Sequence, residues 1–385
     1  MAHTTSEPAS PLAPRLEMLA ALEPAPFPVI SLYLNLSANQ HGRDDFDTFV
    51  RKVFPERAAG LPASSAERQS FDQDHEKIRA YLEGQVERSA NGLAIFACAG
   101  ADLFEAVQLD APVDEHALFI GSVPHLYPLA RVMGTYPRYA AVLLDTNKAR
   151  IVVASMTTPE RTEEISGVKT RRTSQGGWSQ ARYQRHIENF HQHHVKDVID
   201  TLDRVVREEQ IDQIVAAGPD AAVALLREHL PSHLAEKLEA TTKLTTSASD
   251  AEVLQASLDS LREKDAETDA EHVTALLDAW RSGGLGVAGP EATMKALQMG
   301  QVDELLITGT PDTLKPVQRL PEDAAPGELQ VDTSAPQGAP DASRLKLADE
   351  LVTRAQQSGA GIRIIEDVAL LATIGGVGAR LRFRL

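Results

Sequence analysis

The sequence has almost no cysteine and no long apolar run. A single cysteine, Cys98, excludes a disulfide framework and a zinc site built from thiolates. No apolar stretch approaches the roughly 18 residues of a membrane-spanning helix. The first 28 residues also lack the basic and apolar regions of a signal peptide. We therefore expect a cytoplasmic protein, with Cys98 buried in the apolar strand 93–98.

Positive charge is also scarce. The 385 residues contain 38 Lys and Arg against 55 Asp and Glu, which gives a net charge of −17. A chain this acidic is not a general binder of polyanions, so any contact with nucleic acid must come from a local basic segment. The composition is otherwise globular, 43% apolar and 24% charged, and excludes disorder of the whole chain.

Alternating strand and helix patterns predict an α/β fold with three domains. The apolar runs VISLYLNL and GLAIFAC predict strands, and apolar residues spaced three to four apart predict a helix over 66–90. A β-hairpin, AAVLLD and ARIVVAS around a turn, opens the middle domain. A long helix starts at Ala181, and residues spaced three or four apart predict one apolar stripe on it, at Ile187, Phe190, His194, Val198, Leu202 and Val205. The predicted parts are a flexible tail (1–28), an N-terminal α/β domain (29–136), a middle domain (137–272), and a C-terminal α/β domain (273–385) with an acidic, proline-rich insert (310–343) interpreted as a mobile loop.

One segment of the middle domain reverses the charge of the chain. Residues 168–196, VKTRRTSQGGWSQARYQRHIENFHQHHVK, contain six basic residues and one acidic residue, Glu188. Basic side chains around a Gly-Gly turn, interleaved with aromatic ones, are typical of a protruding tip that binds phosphates and stacks on bases. Composition alone leaves open a chance cluster on an ordinary loop. The candidate RNA-binding residues are Lys169, Arg171, Arg172, Trp178, Arg182, Tyr183, Arg185 and Lys196.

This segment, the tip, resembles the middle-domain tip of the archaeo-eukaryotic class-one peptide chain release factors. In that family Gly-Gly-Gln is followed by serine and by a basic, aromatic helix. Two C-terminal stretches, 283–308 and 375–383, are similar to the family's third domain. The nearest resemblance is to the bacterial branch, which includes ribosome hibernation factors of the Balon type and homologues proposed to rescue ribosomes. The tip residues whose types match the family pattern are Gly176, Gly177, Ser179, Arg182, Tyr183, Arg185 and Val195.

The resemblance implies both a fold and a site of action. It implies a ribonuclease-H-like sheet in the middle domain and a C-terminal domain that resembles kink-turn-binding ribosomal proteins. It also implies a factor that occupies the ribosomal A site and directs the tip toward the peptidyl transferase centre. A translational GTPase such as elongation factor Tu is the implied protein partner. We expect no cofactor, no metal and no membrane contact.

Two departures from the family pattern affect the expected activity. Trp178 stands where the family has its catalytic glutamine, and an indole has one donor and no acceptor. The candidate catalytic residues are therefore Gln180, two positions further on, with Gly176 and Gly177. No Asn-Ile-Lys-Ser codon-reading motif occurs between residues 37 and 91. Two functions remain open: sheltering of idle ribosomes without catalysis, which the departures favour, and codon-independent hydrolysis of peptidyl-tRNA on stalled ribosomes.

Two weaker signals are interpreted as structural. Gly284-Leu-Gly-Val-Ala-Gly289 matches a dinucleotide-binding pattern, but the preceding residues predict a helix where such a site needs a strand. We expect a packed turn there. The histidines of the tip have no carboxylate or thiolate set that completes a metal site. They are His186, His191, His193 and His194.

Overall fold

The computed structural model describes residues 12–37, 46–109, 111–135, 138–155, 158–166, 180–317, 330–333 and 341–384, without the side chains of 155, 158 and 180–191. The chain divides into two compact units, residues 1–135 with 269–385, and residues 136–268. Helices and strands alternate through both units, and the predicted α/β class is confirmed. The division into three domains stays a prediction.

The elements are numbered in chain order. The helices are α1 (Leu12–Ala20), α2 (Phe46–Ala59), α3 (Ala66–Gly84), α4 (Tyr127–Thr135), α5 (Gln180–Glu208), α6 (Asp220–His229), α7 (Ser232–Ala235), α8 (Asp250–Arg281), α9 (Pro290–Gln298), α10 (Ala342–Gln357) and α11 (Val368–Leu371). The strands are β1 (Val29–Asn35), β2 (Gly92–Cys98), β3 (Leu103–Leu109), β4 (Ala117–Gly121), β5 (Arg138–Leu144), β6 (Lys148–Ser155), β7 (Thr158–Ser166), β8 (Gln213–Ala217), β9 (Leu238–Thr242), β10 (Gly286–Ala288), β11 (Val302–Thr308), β12 (Gln330–Thr333), β13 (Gly361–Ile365) and β14 (Val377–Leu381).

Two sheets form the unit built from both ends of the chain. One has the strand order β12-β4-β1-β2-β3, and all its pairs are antiparallel. Phe54 of α2 and Phe71 of α3 are fully buried against this sheet. The other sheet has the order β10-β14-β11-β13, with β11 and β13 parallel. The predicted strands and the buried position of Cys98 are confirmed.

The predicted flexible tail is wrong for the part of it that the structure describes. Residues 12–20 form α1, in which Leu16 and Leu19 are each 1% exposed. The helix packs against α10, and Gln357 donates a hydrogen bond to the Ala20 carbonyl at 2.8 Å. Proline-rich composition suggested a tail, but burial of the two leucines contributes to offsetting the entropy cost of ordering this segment. Residues 1–11 lie outside the described residues.

The predicted mobile loop is likewise wrong for residues 330–333. They form β12, an edge strand whose Gln330 pairs with Ile120 of β4 in antiparallel register. Arg57 of α2 fixes the strand, because its Nε lies 2.5 Å from a carboxylate oxygen of Asp332 and its guanidinium also donates to the Val331 carbonyl. Part of the insert therefore completes a sheet that otherwise comes from the N-terminal half of the chain. Residues 318–329 and 334–340 lie outside the described residues.

A buried polar contact joins α4 to α10 within the same unit. One carboxylate oxygen of Asp349 accepts the N–H groups of Leu126 and Tyr127, the latter at 3.1 Å, where α4 begins. Nδ1 of the buried His125 lies 3.3 Å from the same oxygen. The Tyr127 hydroxyl donates to the Thr308 carbonyl at 2.6 Å. The N-terminal and C-terminal parts of this unit are thus joined by hydrogen bonds that bulk water does not reach.

The second unit is a five-stranded sheet covered on both faces. Its order is β7-β6-β5-β8-β9, in which β5, β6 and β7 are antiparallel and β5, β8 and β9 are parallel. Helices α5 and α6 pack on one face, and the first turns of α8 pack on the other. The predicted hairpin is confirmed as β5 and β6, and the predicted long helix as α5.

Asp74 of α3 is a buried carboxylate in the N-terminal sheet region. Its side chain is fully buried, and one oxygen accepts the N–H of Ala99 at 2.9 Å. The other oxygen has no hydrogen-bond partner within the described structure. Burial raises the pKa of Asp74 from 3.8 to about 6 because the charged form is poorly solvated there.

Asp74 is therefore expected to make the fold more stable as the pH falls. Because its folded-state pKa lies above the unfolded value, protonation favours the folded state, and the stabilisation grows below pH 6. Between pH 7 and pH 5 the free energy of unfolding should gain about 1 kcal/mol relative to an Asp74→Asn variant. Urea titrations of wild type and variant at both pH values measure this difference in the free energy of unfolding. An identical pH dependence in wild type and variant would contradict the assignment, and Asp72→Asn, on the exposed side of α3, is the control.

Candidate functional site

Helix α5 begins at Gln180, three residues after Gly177 in the sequence, and is about 44 Å long. Val198, Leu202 and Val205 are completely buried against side chains of β5, β6 and β8. The predicted apolar stripe is confirmed at these three positions and at His194, which is 2% exposed. The sheet thus holds the C-terminal half of α5, the helix whose N-terminal half belongs to the tip.

Most of the predicted site residues lie outside the described part of the chain. This holds for Gly176 and Gly177 and for the side chain of Gln180, although Gln180 itself is the first residue of α5. Lys196 is exposed on α5, one residue after the buried Val195. The catalytic and RNA-binding roles stay predictions. The remaining residues outside the description are Lys169, Arg171, Arg172 and Trp178, with the side chains of Arg182, Tyr183 and Arg185.

An ion-pair network joins the two elements that flank the tip in sequence. Arg161 of β7 contacts Glu208 and Glu209 at the end of α5, both at 2.9 Å. Arg204 of α5 contacts Glu163 of β7 at 2.5 Å. The hydrogen bond from Arg204, and then that from Arg161, hold the pKa of Glu163 below its ordinary range. The middle of β7 is therefore fixed to the C-terminal end of α5, the end of the helix that is remote from the Gly-Gly pair in sequence.

The glycine-rich stretch after α8 is a tightly packed turn that leads into β10. A dinucleotide-binding site needs a strand before its glycine-rich loop, but here helix α8 continues to Arg281. The stretch therefore does not form such a site. A Cβ on Gly286 would lie 2.8 Å from the Trp280 backbone nitrogen. Gly289 has φ of 89°, which favours glycine, and precedes Pro290 at the start of α9. The predicted packing is confirmed, but the stretch is not a turn throughout, because Gly286–Ala288 form β10 and pair with β14.

Two other site classes have no counterpart in the described residues. Within them, His, Cys, Asp and Glu side chains form no group of three or more that could hold a metal ion. None of the described helices combines the length and the apolar character that crossing a bilayer requires.

Solved structures that are similar to this chain include translation termination factors and termination-like factors. An archaeal translation termination factor, aRF1, is 18% identical over 97% of each chain, with a TM-score of 0.26. Archaeal Pelota, from a model of its ribosome-bound state with ABCE1, is 14% identical over 98% of this chain and 95% of its own, with a TM-score of 0.41. Dom34 of S. cerevisiae, described as interacting with Hbs1, is 13% identical over 76% and 79%, with a TM-score of 0.42.

Family models match two adjoining parts of the chain. Residues 124–262 match the bacterial archaeo-eukaryotic release factor family 10, and residues 267–385 match eRF1 domain 3. A comparison with curated proteins gives no significant match. The first match contains the tip, and the second contains the packed glycine turn and the closing strand β14. The chain therefore belongs to the bacterial branch of the archaeo-eukaryotic release-factor-like proteins.

Proposed function

We propose that the protein is a cytoplasmic translation factor that binds idle ribosomes under stress and shelters them. In this proposal it occupies the A site, and residues 168–196 reach toward the peptidyl transferase centre, where Trp178 stacks on ribosomal RNA. The observation that carries the proposal is the match of residues 124–262 to a bacterial release factor family, with a charge-reversed tip inside the match. A translational GTPase such as elongation factor Tu is the proposed protein partner.

The anchoring of α5 supports the tip's role as a projecting element. One face of the helix is buried from His194 onward, and the Arg161 and Arg204 ion pairs hold its far end to β7. A helix fixed at one end can present its other end to a distant surface without a large loss of conformational entropy on binding. The exposed Lys196 adds a cation to the accessible side of this helix.

Ribosome rescue by peptidyl-tRNA hydrolysis is the second candidate function. The retained Gly176-Gly177 pair favours it, because a flexible backbone lets the following residue approach the ester. In this alternative Gln180, or backbone amides of the tip, would orient water without reading a codon. Against it, the residue next to the glycine pair is Trp178, and Gln180 lies two positions further along the chain.

Substitutions of Trp178 and Gln180 are expected to separate the two functions. Trp178→Ala should weaken ribosome binding by about 1–3 kcal/mol, or roughly 5- to 150-fold, because aromatic stacking on a base contributes that much. Gln180→Ala should leave binding within about twofold of wild type. Ribosome pelleting measures the affinity, and the matched control is Trp280→Ala, which removes the other tryptophan of the chain, a 45% exposed one.

The same variants belong in a single-turnover assay of peptide release from P-site peptidyl-tRNA. For a sheltering factor, release by the wild type is slow, and neither substitution changes it. Fast peptide release by the wild type that Gln180→Ala abolishes would show that the function is ribosome rescue and not sheltering. Absence of wild-type protein from the ribosome pellet even at low salt would overturn both functions.

A further inference from the structure

A small cavity lies at the carboxyl ends of β5 and β8 in the second unit. Its volume is about 80 Å³, several times the 10–15 Å³ that one water needs. Gly218, with φ of 148°, lets β8 turn tightly into α6, since a Cβ there would be 2.2 Å from the Leu144 carbonyl oxygen. The cavity lies at the sheet edge where open α/β sheets bind ligands. It is lined by Asp145, Thr146, His194, Val195, Ala221, Ala222 and Leu225.

His194 is an unpartnered polar side chain in this cavity. It is 2% exposed, and neither ring nitrogen has a hydrogen-bond partner among the described residues. A buried polar group without a partner costs roughly 1–3 kcal/mol, so such groups are nearly always satisfied in native proteins. A ligand with hydrogen-bonding groups in the cavity would satisfy this ring.

The N-terminus of α6 adjoins the same cavity, which Ala221 and Ala222 line. Its cap residue, Pro219, makes no side-chain cap hydrogen bond, and the carbonyl of Pro219 accepts from Ala222 at 2.9 Å. The N–H groups of the two preceding residues, Asp220 and Ala221, come before this first helical bond, and a helix N-terminus attracts anions. The Asp220 carboxylate is paired with Nζ of Lys243 at 2.9 Å.

Asp145 is the one carboxylate among the described residues that line the cavity. Its oxygens accept hydrogen bonds from the N–H groups of Asn147 and Lys148, at 2.7 and 2.8 Å, and from the Thr246 hydroxyl at 2.8 Å. Burial works to raise the pKa of Asp145, but these hydrogen bonds and the charge of His194 lower it below its ordinary range. Asp145 therefore stays ionised and can accept a proton donor from a ligand.

We propose that this cavity binds a small protonated oxyanion of the size of hydrogen phosphate, free or as the phosphoryl group of a larger molecule. The oxyanion accepts from the His194 ring and from the N–H groups that begin α6, and its hydroxyl donates to Asp145. Val195, Ala222 and Leu225 form apolar walls that restrict the space to one such group. His194 and Val195 lie near the end of residues 168–196, but none of the candidate catalytic or RNA-binding residues lines the cavity. The proposal does not rest on any action on the ribosome.

Thermal unfolding of the full chain in inorganic phosphate tests the site. At constant ionic strength, and at about ten times the dissociation constant, phosphate should raise the midpoint by about 3 °C relative to chloride. His194→Leu should abolish the shift. The matched control, His193→Gln, changes the exposed neighbour on the same helix and should keep it. Equilibrium dialysis of labelled phosphate should give one site per wild-type chain and at least tenfold weaker binding to His194→Gln.

The outcomes separate the sources and the alternatives. A His194-dependent shift with adenosine 5′-monophosphate as well as phosphate supports a phosphoryl group of a larger molecule, and a shift with phosphate alone supports the free anion. No shift in the wild type overturns the proposal and leaves a cavity filled by water. An equal shift or equal dialysis binding in the His194 variants means an adventitious ion only, which also overturns it.

Discussion

Replacing Arg171, Arg172, Arg182 and Arg185 together with alanine is expected to lower ribosome affinity about a thousandfold at 0.1 M salt. Each guanidinium that contacts a phosphate releases condensed counterions, and four such contacts contribute about three units to the slope of log affinity against log salt. The quadruple variant should therefore bind weakly and show a salt dependence flatter by about three units. Ribosome pelleting across a salt series measures both quantities.

The control must remove the same charge from elsewhere in the chain. Arg51, Arg79, Arg88 and Arg227 are exposed arginines outside the tip, and their quadruple alanine variant carries the same net charge. Its affinity should stay close to that of wild type. Equal pelleting of the tip variant and wild type at every salt concentration would show that residues 168–196 are not the contact.

Asp349→Ala is expected to cost about 3–5 kcal/mol of unfolding free energy. The change leaves two buried N–H groups, of Leu126 and Tyr127, without their acceptor, and it removes the charge next to His125. Each buried donor without a partner costs roughly 1–3 kcal/mol, and alanine keeps the helical propensity of α10. Urea titration of the full chain, followed by near-ultraviolet circular dichroism, measures the loss.

Two further variants interpret that result. Asp349→Asn keeps an acceptor oxygen for the two N–H groups, so it should cost clearly less than the alanine change. Asp341→Ala removes the cap at the exposed start of the same helix, where Asp341 accepts the N–H of Ser343, and should cost about 1 kcal/mol. A loss below about 1 kcal/mol in Asp349→Ala would mean that the contact does not join the two parts.

Features with a local signal could be predicted from the sequence. The β5–β6 hairpin follows from two apolar runs around a polar turn, and the stripe on α5 follows from its spacing. Helix α2 is not predicted, because Pro55 lies inside it and prolines usually end helices. Its buried pairs, Phe49 with Val50 and Val53 with Phe54, repeat every four residues and are the signal that indicates it.

Contacts between distant residues could not be predicted in the same way. Asp349 is an acidic residue within an apolar helix pattern, but its partner at Tyr127 lies 222 residues earlier. Strand β12 has four residues, none of them fully buried, in a proline-rich insert. The cavity beside His194 could not be predicted either. The apolar spacing of α5 indicates that His194 is buried, but it does not indicate that Asp145 and α6 lie next to it. The charge of the tip, by contrast, is entirely local and visible in the sequence.

During synthesis, β4 is made long before β12, the strand that pairs with it. Ile120 pairs with Gln330, about 210 residues later in the chain. At 5–20 residues per second, translation takes roughly 10–40 s to supply that partner. Throughout this interval the backbone donors and acceptors along one edge of β4 are open, and an open strand edge pairs readily with other chains. The N-terminal half of the nascent chain therefore passes through an aggregation-prone stage, which ends only when β12 leaves the exit tunnel and pairs with β4.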